Sequence, residues 1–271
     1  MADRISRKYT LSAAGLVAII GIILQTAAQN IGMFIAGRLL TGFASGMSLP
    51  IVPVYIAELS PPNRRAAIVG FQGVALAIGF FAANWIGYGG SFAVGNAQWR
   101  IPVAMQLPGA AGLLIGTLFI PFSPRWLMSK DRYDEARAVM SHIHSGRSSD
   151  FLDQQMVQMR EQIGLERSYT QGNWIRKWLR LFKRQYIERT LLCSFLLAYS
   201  QFSGSLVIQN FQSIFYAAVG FAGQTTLLIS GVYGIMGVIG QTINLFVVAD
   251  RWPRVRTLCK LPYPFSLPEC N

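Results

Sequence analysis

Gly37-Arg38-Leu39-Leu40-Thr41-Gly42-Phe43-Ala44-Ser45-Gly46 lies within an apolar run, 32–55, that exceeds the ~20 residues a helix needs to cross a bilayer's hydrocarbon. Small residues recur along it at helical spacing, and small groups on one face let neighbouring helices approach closely. The stretch therefore predicts a transmembrane helix in a tight bundle. Working outward with the same window, 9–28, 66–88, 101–120, 190–217 and 225–248 also qualify. Composition agrees: 13% of the 271 residues are charged and 52% are apolar, too little polar surface for a soluble domain of this size. The expected fold class is an all-α membrane protein with six transmembrane helices.

Basic residues set the orientation. Three of the 24 Lys and Arg lie in 1–8, two in 56–66, thirteen in 121–189 and four in 249–271. Only Arg38, inside a span, and Arg100, at the start of one, fall elsewhere. By the positive-inside rule both termini and the central segment are cytoplasmic, and the net charge of +12 is a topology signal. A nucleic-acid partner is excluded, since such a protein gathers its charge on one contiguous face. The first span is too long, and lacks the small-residue cleavage site, for a secretory signal. Cys193, Cys259 and Cys270 form no metal-ligand or disulfide pattern. The partners implied are the lipid bilayer and a small solute, and the location is a membrane, taken as the plasma membrane.

Four units follow: 1–120, a partial first bundle of four transmembrane helices; 121–189, a cytoplasmic helical linker; 190–248, the start of a second bundle with two; and 249–271, an irregular cytoplasmic tail. Helical patterning in the linker covers 132–145, 151–167 and 174–185. The last piece, Trp174-Ile175-Arg176-Lys177-Trp178-Leu179-Arg180-Leu181-Phe182-Lys183-Arg184, alternates aromatic and basic residues. It fits a helix at an anionic membrane surface or a solvated juxtamembrane helix equally well.

Asp3-Arg4-Ile5-Ser6-Arg7-Lys8 is echoed by Asp250-Arg251-Trp252-Pro253-Arg254, an acid-base cluster repeated at the mouths of helices. Internal repeats of this kind occur in transporters built from two related halves. Between the clusters stand Pro53-Val54-Tyr55-Ile56-Ala57-Glu58-Leu59-Ser60-Pro61 with Arg65, then Trp99-Arg100-Ile101-Pro102, Ser123-Pro124-Arg125-Trp126-Leu127 and Gln201-Phe202-Ser203-Gly204. In this order the motifs resemble the sugar porter family of the major facilitator superfamily, a fungal member in particular, over roughly residues 1–256. Glu58 and its neighbours match P-x-Y-x-x-E-x-x-P-x-x-x-R, and the two clusters match loops at equivalent places in the family's two halves.

An acid and several arginines at helix ends pair more strongly in a partly dry location than on an open surface. Asp3, Arg4, Arg7, Glu58, Arg65, Arg125, Asp250, Arg251 and Arg254 are the candidates, and the resemblance implies that they form a cytoplasmic gate. The alternative is that they anchor topology and loops. Ser6 and Pro253 stand where the family has glycines. Phe122 replaces an acid, so the lock is expected to be thinner than in a typical member.

A sugar entering a dry cavity needs a partner for every hydroxyl, and side-chain amides offer donor and acceptor without charge. Gln72, Asn84, Gln106, Gln201, Gln209, Asn210, Gln212, Gln241 and Asn244 lie in the spans. The resemblance places one family glutamine on Gln201 and another on Gly73, next to Gln72, and a family tyrosine on Asn210. Gln201, Gln72, Gln209 and Asn210 are the candidate solute contacts. A sugar-like polyol fits this altered set better than an ordinary hexose. The spans hold no Asp or Glu, and His142 and His144 lie in the linker two residues apart, so no catalytic or metal site and no cofactor are expected.

The resemblance covers helices three to eight of a twelve-helix fold. A partial major facilitator fold is therefore expected, its first four spans packed and the last two loosely docked or splayed. The prolines of 257–271 preclude a further span there. The chain reads as a truncated transporter of a sugar or polyol by alternating access, which alone is expected not to carry flux. The alternative is a non-transporting membrane sensor or regulatory fragment that pairs with a full-length transporter.

Overall fold

The computed structural model describes residues 5–61, 65–143, 149–170, 182, 184–202, 204–221 and 223–248. It contains helices α1 (Arg7–Thr26), α2 (Ile31–Leu59), α3 (Arg65–Gly90), α4 (Ala97–Ala104), α5 (Leu107–Phe119), α6 (Pro124–Ser129), α7 (Tyr133–Ile143), α8 (Ser149–Thr170), α9 (Arg184–Phe202), α10 (Ser205–Ala218) and α11 (Gln224–Ile243). A π-turn over Asn244–Val248 continues α11. Among the described residues no strand occurs. Among the described residues, five stretches are long and apolar enough to cross a membrane: Arg7–Thr26, Ile31–Leu59, Ala67–Gly90, Ala97–Phe119 and Gln224–Phe246.

The expected span at 101–120 is two helices in line, α4 and α5, separated at Met105 and Gln106. Pro102 and Pro108 each remove a backbone donor and loosen the ladder between them. The expected span at 190–217 is also divided. α9 ends at Phe202, and α10 starts after Gly204, whose φ of 77° is the left-handed conformation that glycine adopts at little cost. Of the linker helices, 132–145 and 151–167 correspond to α7 and α8, while 174–185 falls mostly outside the described residues, as does the tail 249–271.

α1 is the hub of the first bundle, packed along α2 and α5. At the α1–α2 crossing Gly21 and Gly37 face each other's backbone, and a Cβ added at Gly37 would lie 2.9 Å from the Gln25 nitrogen. Close approach of this kind is what small residues contribute where lipid supplies no hydrophobic drive between helices. Gln25, fully buried, donates to Thr41 Oγ1 at 2.9 Å and ties the pair together.

The last helices are not uniformly splayed. α11 lies antiparallel along α3: Gly70 meets Leu245, Gly73 meets Gln241, Phe81 meets Gly234 and Trp85 meets Gly231. Glycines on both helices open the space in which the partner's side chains sit, so α11 docks closely. α9, by contrast, exposes Leu191, Leu192, Phe195 and Leu197 along its length. In the linker, Trp126, Leu127, Met128, Ala136 and Ile163 form a small separate core uniting α6, α7 and α8.

Candidate functional site

Three helix ends converge on Glu58. α2 stops just beyond it because Ser60, preceding Pro61, turns extended (ψ 136°), leaving Glu58 in the final turn. α1 begins at Arg7 after Ser6, whose hydroxyl accepts from the Lys8 N–H at 3.3 Å. α6 begins at Pro124 after Ser123, a serine N-cap followed by proline at the first helical position.

Arg7 Nη2 donates to Glu58 Oε1 at 3.0 Å, and the two side chains are only 12% and 8% exposed. The Ser123 hydroxyl donates to Glu58 Oε2 at 2.5 Å and accepts the Trp126 N–H at 3.4 Å. An anion near the C-terminal end of its own helix is poorly placed against that helix's dipole. Here Arg7 and the N-terminal end of α6 offset this. One turn earlier on α2, buried Tyr55 donates to the Pro121 carbonyl at 2.5 Å. α2 thus grips the segment 121–123 at two points and α1 at one.

Phe122 packs into the same cluster through its ring. Lys8 Nζ lies 5.1 Å from its ring centroid, Tyr9 packs at 5.5 Å and Trp126 stacks at 5.6 Å. A cation over an aromatic face is attracted by the ring's quadrupole, and the Lys8 ammonium also donates to the Leu118 carbonyl at 3.1 Å. Beside this cluster is a cleft of about 440 Å³ lined by Glu58, Arg125 and, from α8, Gln155, Gln158 and Gln162. The three amides are spaced three and four residues apart, on one face of the helix.

Of the nine proposed gate residues, Arg7 and Glu58 are paired and Arg125 lines the adjoining cleft. Asp3, Arg4, Asp250, Arg251 and Arg254, with the side chain of Arg65, lie outside the described residues. Ser123 and Tyr55, which stand in the quoted motifs but not among the nine gate candidates, also belong to the cluster. The Ser-Pro pair is the signal for the first; for Tyr55 the motif fixes the residue type but not the partner of its hydroxyl.

The candidate solute contacts are not drawn together. Gln72 is half-buried on α3, Gln201 exposed in the last turn of α9, and Gln209 half-buried beside exposed Asn210 on α10. Among the described residues no hydrogen bond links these four. The amides that do meet are Gln212 and Asn84, with Gln212 Nε2 donating to Asn84 Oδ1 at 3.3 Å across α10 and α3. His142 is exposed on α7, and His144 lies outside the described residues.

Comparison with known proteins matches residues 1–259 to the family model described as "Sugar (and other) transporter". The MFS-type transporter criB of Aspergillus cristatus is 34% identical over 92% of this chain and 53% of its own length. The high-affinity glucose transporter of Kluyveromyces lactis is 29% identical over 93% of this chain and 45% of its own. A solved structure of the proton:xylose symporter XylE bound to 6-bromo-6-deoxy-D-glucose superposes with a TM-score of 0.79 at 19% identity, over 92% of this chain and 55% of that one. The chain spans about half the length of the relatives it matches.

Proposed function

The chain belongs to the sugar porter family of the major facilitator superfamily, integral multi-pass membrane proteins, and on that premise we propose that it serves transport of a sugar-like, polyhydroxylated solute by alternating access. The observation that carries the reading is Glu58, held by Arg7 of α1 and by Ser123 at the start of α6. A buried pair of this kind resists separation until something offsets its breaking, which suits a gate. In this reading Asp3, Arg4, Arg7, Glu58, Arg65, Arg125, Asp250, Arg251 and Arg254 form the cytoplasmic gate. Gln201, Gln72, Gln209 and Asn210 contact solute. Residues 1–120 and 190–248 contribute to opposite bundles, 121–189 links them in the cytoplasm with 249–271 as a tail, and the protein sits in the plasma membrane with both termini inside.

Binding is the direct test for this chain. Purified in detergent, it is expected to bind tritiated D-glucose, D-xylose or D-sorbitol saturably, with release by excess unlabelled solute. No saturable binding of any of the three overturns the reading.

A further inference from the structure

Gln212 is buried on α10, 9% exposed, yet its carbonyl Oε1 has no hydrogen-bond partner. The network fixes which atom is left over. Asn84 Nδ2 donates to the Phe80 carbonyl at 3.0 Å, which makes Asn84 Oδ1 the acceptor facing Gln212. Gln212 must therefore present Nε2 to Asn84; the reverse arrangement would set two carbonyl oxygens against each other. Oε1 is orphaned by the same hydrogen bond that holds the side chain in place.

A buried acceptor without a donor is costly, and such groups in folded proteins call for an explanation. This one lies where α10 meets α3, in elements assigned above to opposite bundles. A solute that passes between the bundles parts this seam and brings hydroxyl donors to it. We propose that Gln212 Oε1 accepts a hydroxyl of the polyhydroxylated solute, and that Asn84 is the positioning residue that aims it. The proposal rests on the transport reading. It assigns a solute contact and the residue that positions it to two amides outside every motif that resembles the family's.

The test uses the purified chain in detergent, with D-glucose and its five singly deoxygenated analogues competing against tritiated D-glucose. Gln212→Met keeps the length of the side chain and removes the amide. Gln212→Asn, which keeps the amide but withdraws it by one methylene, serves if the first variant does not fold. Either is expected to weaken D-glucose binding by about tenfold, the scale of one neutral hydrogen bond. One deoxy analogue, itself about tenfold weaker than D-glucose on the unmodified chain, should lose nothing further on the variant. A variant that binds D-glucose unchanged overturns the proposal, leaving Gln212 as a helix bridge or a water site. A loss that is equal for all five analogues also overturns it, as a structural effect. If the unmodified chain binds none of D-glucose, D-xylose and D-sorbitol, the transport reading itself fails and takes this proposal with it, an outcome distinct from the other two.

Discussion

Arg7 Nη2 and Glu58 Oε1, 51 residues apart in sequence, lie 3.0 Å from each other and join the first turn of α1 to the last turn of α2. Both side chains are largely buried, so the pair is worth more than a surface bridge and costs more when halved. Glu58→Ala removes a charged partner of the guanidinium and the acceptor of the Ser123 hydroxyl, and is expected to destabilise the fold by about 1–3 kcal/mol. Arg7→Ala should cost a similar amount, and the double variant less than the two together, with a coupling of about 1–2 kcal/mol. Denaturant melts of the four proteins in detergent, followed by tryptophan fluorescence, measure this; strict additivity would show that the contact carries no energy.

Ser123 serves Glu58 and α6 at once. Ser123→Ala removes the donor to Oε2 and the acceptor for the Trp126 N–H, an expected loss of about 1–2 kcal/mol. Tyr55→Phe removes only the hydroxyl that reaches Pro121 and should cost about 1 kcal/mol. Both variants loosen the same two-point grip, so combining them is expected to give less than the sum. The same fluorescence melts decide it, and a Ser123→Ala protein as stable as the original would contradict the shared role.

The α1–α2 crossing makes a sharper steric prediction. A Cβ at Gly37 would sit 2.6 Å from Gln25 Cγ and 2.9 Å from both the Gln25 nitrogen and the Gly21 carbonyl oxygen. Backbone atoms cannot rotate aside, so Gly37→Ala must push the helices apart and is expected to cost about 1–3 kcal/mol. Gly42, five residues on, has nothing within 4 Å of its virtual Cβ. Gly42→Ala should be neutral or stabilising by up to about 1 kcal/mol, the helix-propensity difference. Equal effects of the two substitutions in detergent melts would argue against this crossing.

Most span positions, the linker helices at 132–145 and 151–167, and the charges of Arg7 and Glu58 at helix ends are legible because each follows from a local rule: apolar length, helical period, or a charge at a helix end; that these two charges pair with each other is not. The break at Gly204 was less so, since apolar length alone cannot distinguish one helix from two that meet at a left-handed glycine. Close docking of α11 was hidden for a different reason. It depends on Gly70, Gly231 and Gly234 facing Leu245, Trp85 and Phe81, a register between segments some 150 residues apart that no local pattern encodes. The amide candidates show the same limit. Composition singled out nine, but only the fold decides that Asn84 and Gln212 meet while Gln72 and Gln201 remain apart.

Ser6 offers a test whose two arms have opposite signs. It is fully buried and holds φ 119°, a conformation disfavoured for any residue with a Cβ, at the position where the resembled family carries glycine. Its hydroxyl caps α1 through the Lys8 N–H, and its carbonyl accepts from both the Thr10 N–H and the Thr10 hydroxyl. The chain thus gains a cap and tolerates strain. Ser6→Gly relieves strain of order 1–3 kcal/mol, forfeits a few tenths of a kcal/mol of capping and gives up about 0.5–1 kcal/mol to the freer unfolded chain. The balance is a gain of about 1 kcal/mol. Ser6→Ala keeps the Cβ and the strain while losing the cap, and should fall by about 1 kcal/mol. Melts of the two variants therefore move to either side of the original protein; if both fall, the backbone at Ser6 is not strained and the serine is there for its hydroxyl alone.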